Sequence, residues 1–395
     1  MTAYLNALGI VCSLGRGPKD VAQHLFAGDC SGMQQTAGWI PERSVAVAQV
    51  QGELPTIPAH LARHSSRNNQ LLLEAALQIG DDIEQAIQTH GRDRIAVVLG
   101  TSTSGIDEAC HGIAHYAQHQ HFPSDYDYRQ QELSAPAEFL AAWLNISGPT
   151  YVISTACTSS ARALMSAQRL LRMNLCDVVL CGGVDSLCTL TLNGFAALEA
   201  VADERCNPFS VNRRGINIGE GAALFLMSKQ ASGAQPIALL GAGASSDAHH
   251  ISAPEPSGRG AVNAMQQALH RAGLQASQIG YLNLHGTATQ HNDAMESQAV
   301  AQVFPHGVPC SSTKPMTGHT LGAAGALEAA FCWLSLSHGN ALPPHLWDGQ
   351  PDPQLPALNW VTPGLTLAPE HPRCLMSNSF AFGGNNVSLI IGDAP

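Results

Sequence analysis

Two segments of this chain repeat one layout, and that layout restricts the fold more than any other feature. Residues 151–153 (Tyr-Val-Ile) read as a buried strand and residues 156–160 (Ala-Cys-Thr-Ser-Ser) as a turn of small side chains. Beyond the turn, Leu164, Ala167 and Leu171 recur at helical spacing. Residues 308–313 (Val-Pro-Cys-Ser-Ser-Thr), a turn around His319 and the Ala-rich residues 322–334 follow the same order. A strand that runs through a turn into a helix with one apolar face buries both by laying helix on sheet.

Fainter echoes extend the repeat. Residues 97–105 (Val-Val-Leu-Gly-Thr-Ser-Thr-Ser-Gly) resemble residues 282–289 (Leu-Asn-Leu-His-Gly-Thr-Ala-Thr), and residues 3–11 and 237–243 are similar opening strands. Strand and helix patterns alternate throughout, which predicts an α/β protein with a mostly parallel sheet covered by helices. The expected organisation is two copies of one unit, residues 1–232 and 233–395, related by a pseudo-dyad. The switch falls in the Ala/Ser/Gly/Pro-containing stretch 229–236. Such symmetry brings the strand ends of both halves to one centre.

Composition excludes several function classes. The 395 residues are 45% hydrophobic and 12% charged, with 37 glycines, which suits a large core of close-packed helices and sheet. A net charge of −11 without a Lys/Arg run argues against a nucleic-acid surface. The 11 cysteines are odd in number and form no zinc-like CxxC pair. No basic leader followed by an apolar run opens the chain, and no apolar stretch approaches the ~18 residues of a membrane span. A reducing cytosol is the expected setting.

Chemistry concentrates on one cysteine and two histidines. Cys157 stands at a predicted helix N-terminus, where free N–H groups and the dipole favour a thiolate. Its small neighbours leave room for an acyl chain. His285, in Asn-Leu-His-Gly-Thr-Ala-Thr, and His319, in Lys-Pro-Met-Thr-Gly-His-Thr, are each expected at a strand end. A thiolate beside two imidazoles suits thioester formation, with N–H donors for an oxyanion on a second substrate. The remaining histidine groups are read as exposed or structural residues rather than a metal site: His111, His115 and His119 at i, i+4, i+8, then His121, and the pair His249–His250.

Taken together, these residues resemble the β-ketoacyl-[acyl carrier protein] synthases, the elongating Cys-His-His condensing enzymes of the thiolase superfamily. The segments that carry the likeness are Thr155-Ala-Cys157-Thr-Ser, Asn217-Ile-Gly-Glu-Gly221, His285-Gly-Thr, residues 312–325, and residues 378–386 (Asn-Ser-Phe-Ala-Phe-Gly-Gly-Asn-Asn). The resemblance implies a five-layered αβαβα thiolase fold and a dimer packed across a sheet edge. It implies that Cys157 takes an acyl group from a carrier-protein phosphopantetheine arm. His285 and His319 would assist decarboxylation of malonyl-carrier protein, with Lys314 and Glu328 supporting them. The backbone N–H groups of Cys157 and Phe382 would form the oxyanion hole. No cofactor and no metal is implied, because the departing carboxylate supplies the electron pair. The implied partners are acyl carrier protein and a second subunit, either a copy of this chain or a chain-length-factor homologue.

Departures from the family text carry expectations of their own. Ala381 replaces the usual Gly before Phe382, Gly383 and Gly384, and is expected to restrict the gate that those residues form. Asn385 keeps a polar group where Thr is usual. Thr103 stands at a position that usually carries a bulky aliphatic, so a smaller, more polar acyl-pocket wall is expected. The usual carrier-contacting Arg is displaced within Asn207-Pro-Phe-Ser210, leaving Arg67, Arg205 and Arg213 as candidates. The same text resembles ketosynthases of aryl-polyene and type II polyketide-like clusters. Three rivals fit less well. A thiolase needs a second catalytic Cys, an initiating synthase pairs Cys with His and Asn, and a non-catalytic chain-length factor lacks the nucleophile.

Overall fold

The computed structural model describes residues 2–369 and 372–394. The first half contributes strands β1 (Ala3–Cys12), β2 (Ile95–Gly100), β3 (Thr150–Ile153), β4 (Val178–Asp185) and β5 (Gly221–Ser228). The second contributes β6 (Ile237–Ser246), β7 (Tyr281–Asn283), β8 (Pro309–Ser311), β9 (Cys374–Ala381) and β10 (Asn385–Asp393). Spatial order is β3-β2-β4-β5-β1 in one half and β8-β7-β9-β10-β6 in the other. In both, the order inward is third, second, fourth, fifth and first; the third strand is outermost in the first half, whereas in the second a two-residue strand, Asn359–Trp360, pairs beyond it. The halves meet where β1 and β6 pair antiparallel through Ala3–Leu239 and Tyr4–Ala238.

The sheet is mixed rather than mostly parallel. β2 pairs parallel with β3 and β4, and β7 pairs parallel with β8 and β9. β5 and β10 run antiparallel to both of their neighbours. The reason is local for β10: it follows β9 through the tight turn Phe382–Gly384, and so short a link allows only a hairpin.

Alternation along the strands shows why both faces are covered. In β2, Ala96 and Val98 enter the central core while Ile95, Val97 and Leu99 enter an outer one. In β9 and β10, Leu375, Leu389 and Ile391 face the same central core and Met376 and Ile390 a second outer one. Helices α1 (Arg67–Gln78), α2 (Ile106–His119), α3 (Ala135–Leu144), α4 (Ser159–Arg172), α5 (Thr189–Ala197), α6 (Arg259–Ala272), α7 (Gln290–Val303) and α8 (Ala324–Ser337) complete the principal framework. Between the sheets lie α4 and α8, through Leu164, Ala167, Leu171, Ala326, Ala330 and Phe331. Outside them lie α1 and α3 on one side and α6 and α7 on the other. This is the five-layered αβαβα thiolase fold with two pseudo-dyad-related halves.

Small residues set the spacing of the middle layer. A Cβ on Gly325 would stand 2.7 Å from Ala161 Cβ, so α8 seats against α4 only because glycine occupies that position. A Cβ on Gly100 would stand 2.2 Å from the Ser160 nitrogen, at the start of the helix that carries the cysteine turn. One expectation is corrected here. β3 is only half-buried at all four residues, because it pairs with β2 alone and forms the open edge of its half. Its β-branched run reflects strand propensity at an edge rather than burial.

Candidate active site

Cys157 sits in the turn between β3 and α4, 7% exposed. The preceding Ala156 adopts φ +52°, a left-handed conformation that costs a non-glycine residue ~1–2 kcal/mol. Ser159 holds it there: the Thr155 N–H donates to Ser159 Oγ at 2.9 Å, and that hydroxyl donates to the Ala156 carbonyl at 2.5 Å. The strained elbow thrusts the thiol off the end of the sheet.

The two histidines arrive from the other half. His319 Nε2 lies 3.0 Å from Cys157 Sγ, and the His285 ring stands edge-on to His319 at 5.2 Å and 84°. One ligand-type atom from each of Cys157, His285 and His319 falls within 4.8 Å of the others. All three line one cavity of about 330 Å³, with Phe195, Phe380 and Phe382 among its apolar walls.

Buried acids fix this geometry. Lys314, 2% exposed, donates from Nζ to the His285 carbonyl and, at 2.5 Å, to Glu328 Oε1. Glu296 of α7 accepts from the backbone N–H groups of His285 at 2.8 Å and Gly286 at 2.7 Å. Asp185, at the end of β4, accepts from Thr101 Oγ1, Thr103 Oγ1 and two loop N–H groups with one oxygen, and from the Gly322 N–H at 2.5 Å with the other. It thereby ties the loop after β2 to the loop after His319. The Asn217–Gly221 segment straps His319 directly, since the His319 N–H donates to the Asn217 carbonyl at 2.7 Å and the Gly219 N–H to the His319 carbonyl at 3.0 Å.

Electrostatics follow from burial. Both imidazoles are held well below the ordinary histidine range, first by desolvation and then by the nearby Lys314 cation, so both are neutral. Burial likewise pushes the Cys157 thiol up to about 12, against the lowering influence of Lys314. The expectation of a resting thiolate is therefore corrected: in the closed cavity desolvation outweighs the helix end, and the sulfur rests as a thiol against a neutral imidazole. Glu296 and Glu328 are each raised to about 7, mainly by burial.

The Glu296 shift carries a pH prediction. Its folded-state value lies above the unfolded 4.5, so the folded protein holds the proton more tightly. This group's contribution to stability therefore falls as pH rises from 4.5 to about 7. The change Glu296→Gln is expected to flatten that part of the profile, as measured by thermal melting at the two ends of the window. Identical slopes in wild type and variant would contradict it.

Other expected site residues separate into those that reach the cavity and those that do not. Phe382 reaches it and packs on Phe195 at 5.6 Å, with Gly383 and Gly384 at φ +80° and +73°. Ala381 lines it in extended backbone (φ −122°, ψ 155°), which alanine adopts without strain. Asn385 accepts from Arg162 at 3.0 Å. Thr103 does not line the cavity. It is fully buried, with its hydroxyl on Asp185 at 2.8 Å. His250, read as structural, stands in the cavity wall.

The carrier-contact arginines need correction. Arg213 is 5% exposed and paired with Asp352 at 2.6 Å, so it offers no free surface charge. Arg67 forks onto Glu220, a side chain with no exposure, at 2.5 and 2.8 Å. Arg205 alone is exposed, beside a second cavity of about 490 Å³ with Cys30 and Trp347. The change Arg67→Ala is expected to destabilise by about 3 kcal/mol, the low end for breaking a buried pair because the guanidinium is a third exposed. Chemical denaturation checks this, and a loss under about 1 kcal/mol would show the pair to be dispensable.

Sequence reasoning missed the roles of Asp185, Glu296 and Asn217. Asp185 had one signal, a carboxylate ending the wholly apolar run of β4. Glu296 had another, an acid within α7, the helix that follows the His285 turn.

Comparison with known proteins supports the same reading. Residues 7–232 match the β-ketoacyl synthase N-terminal domain and residues 237–346 the C-terminal domain. A Staphylococcus aureus 3-oxoacyl-[acyl-carrier-protein] synthase 2 is 31% identical over 83% of this chain and 84% of its own. A mitochondrial 3-oxoacyl-[acyl-carrier-protein] synthase of Arabidopsis thaliana is 39% identical over 62% of this chain, which spans 56% of that protein's length. Among solved structures, the ketosynthase ApeO of Xenorhabdus doucetiae, in complex with its chain length factor ApeC, is 47% identical with a TM-score of 0.94. That match covers 100% of this chain and 98% of that one. With both domain models matched in order, and with the nucleophile elbow and both histidine turns converging on one cavity, the chain belongs to the β-ketoacyl synthase family.

Proposed function

We propose that this protein is a 3-oxoacyl-[acyl carrier protein] synthase that performs decarboxylative condensation, with Cys157 as nucleophile. The observation that carries the reading is the 3.0 Å approach of His319 Nε2 to Cys157 Sγ beside a second neutral imidazole, His285. In the first half-reaction the sulfur attacks the acyl thioester. The thiol proton passes to His319 Nε2 and on to the departing phosphopantetheine thiolate, leaving acyl-Cys157. In the second, the malonyl C–carboxylate bond breaks, carbon dioxide leaves and the electron pair becomes an enolate. That enolate attacks the acyl carbonyl, the C–S bond breaks, and Cys157 recovers a proton from solvent. Neither His285 Nδ1 nor His319 Nδ1 has a hydrogen-bond partner among the described residues. His319 Nε2, which faces the thiol, can accept its proton in one step and donate to the enolate oxygen in the next. The N–H groups of Cys157 and Phe382 serve as the oxyanion hole, Phe382 as the gate, and Lys314 and Glu328 as positioning residues.

The substrates are carrier-protein thioesters, with Arg205 as the remaining candidate contact, and no cofactor takes part. The open β3 edge is the docking edge for a second subunit, and the likeness to ApeO, solved in complex with its chain length factor, supports a chain-length-factor homologue rather than a second copy of this chain. The resemblance of the Asn207–Ser210 and Asn217–Gly221 segments to ketosynthases of aryl-polyene clusters supports a polyene or aryl-primed acyl chain over a saturated one. Among the described residues no helix is long and apolar enough to cross a membrane, which fits work on a soluble carrier protein. The test supplies acyl- and malonyl-carrier protein and follows carbon dioxide and 3-oxoacyl product. Equal amounts of both are expected, and carbon dioxide without any 3-oxoacyl product would reject the condensing role.

A further inference from the structure

The histidines of α2 and the turn after it stand apart from the active site, and none of the chemistry above uses them. His115 and His119 lie one helical turn apart, and Gln120 ends the helix in the left-handed conformation at φ 62°, which turns the chain back toward them at His121. The ring centres are 4.4 Å apart for His115–His119, 5.0 Å for His115–His121 and 6.1 Å for His119–His121. Three imidazoles on one tetrahedral zinc, with Zn–N bonds of about 2.0–2.1 Å, have ring centres about 5 Å apart.

Two hydrogen bonds add directional evidence. His115 Nδ1 lies 3.0 Å from the His121 carbonyl, and His121 Nδ1 lies 3.2 Å from the Phe122 carbonyl. A carbonyl only accepts, so each Nδ1 carries the proton and each lone pair sits on Nε2. This is the device that orients histidines toward a metal. The turn is also braced, because Phe122 stacks between Tyr116 at 4.7 Å and Tyr126 at 4.2 Å. Spacing along the sequence suggests only an exposed polar helix; the ring geometry and the two carbonyl bonds are what the fold adds.

The geometry points to a surface site for a divalent first-row cation, zinc, held by Nε2 of His115, His119 and His121 with water completing the tetrahedron. His119 is exposed, and its ring is the one farthest from His121. The ring nitrogens of the three do not all lie within 4.8 Å of one another as they stand, so His119 is the side chain that must rotate to close the site.

Equilibrium dialysis of the full chain against zinc tests this, in a Cys157→Ala background so that the buried Cys157–His285–His319 group is not the ligand set. One zinc per chain is expected in wild type and in Cys157→Ala. Adding His115→Ala and His119→Ala is expected to weaken it at least about tenfold. Thermal melts without zinc should shift only slightly, since His119 is exposed and half-buried His115 gives up a single bond to the His121 carbonyl. Retained affinity in the triple variant, loss of binding in Cys157→Ala alone, or no zinc bound by the wild type would each overturn the proposal.

Discussion

Replacing Cys157 by alanine is expected to abolish condensation, with a loss on the order of 10⁴-fold or more, because among the described residues no other cysteine lines the cavity to take over the acyl group. Alanine occupies the same small space, and deletion of one sulfur leaves the Ser159 bonds that hold the elbow intact. Stability should stay within about 1 kcal/mol of wild type. Product formation and thermal melting read the two effects separately. Condensation at a wild-type rate would place the nucleophile elsewhere, and loss of folding would show the elbow to depend on the thiol itself. The companion change His319→Ala is expected to slow decarboxylation more than acylation, and equal losses would remove the proposed division of labour.

The second large effect concerns stability as well as rate. Lys314→Met keeps the length of a buried chain but removes the cation that Glu328 and the His285 carbonyl share. Glu328 then stays buried without its partner, and its other oxygen already has none among the described residues. Breaking such a pair costs about 3–5 kcal/mol. The lower end is expected near neutral pH, where a carboxyl already raised to about 7 escapes by taking a proton. Condensation should fall on the order of 10²-fold as the His285 loop loses its anchor. The double variant Lys314→Met/Glu328→Gln should recover about half of the lost stability, because the orphaned charge is gone. Denaturant titration of both proteins checks this, and a double variant less stable than the single one would show that the pair is not what stabilises this region.

The site's chemistry was legible where it is written locally. Strand, small-residue turn and helix adjoin in sequence around Cys157, and likewise around His319, so reactive side chains could be placed at strand ends before any contact was known. The supporting acids were not legible in this way. Asp185 joins Thr101 to Gly322, and Glu296 meets His285 across a helix, so their roles exist only once the halves fold together. Charge was misleading for the same reason. Arg67 and Arg213 read as free cations in a string of letters, but each finds a carboxylate far along the chain. The β3 segment shows a related limit, since β-branched residues mark a strand without revealing whether the sheet continues beyond it. Desolvation, likewise absent from a sequence, turned the expected thiolate into a thiol.

Acylation of Cys157 is the step on which everything else rests, and peptide mass mapping after incubation with acyl-carrier protein measures it directly. The measurement is made on the chain alone and with a chain-length-factor homologue present. The expected result is one acyl group on the peptide that contains Cys157 and none on any other cysteine, discharged when malonyl-carrier protein is added. An acyl group on a different residue, or none under either condition, would contradict the assignment of Cys157 as the nucleophile.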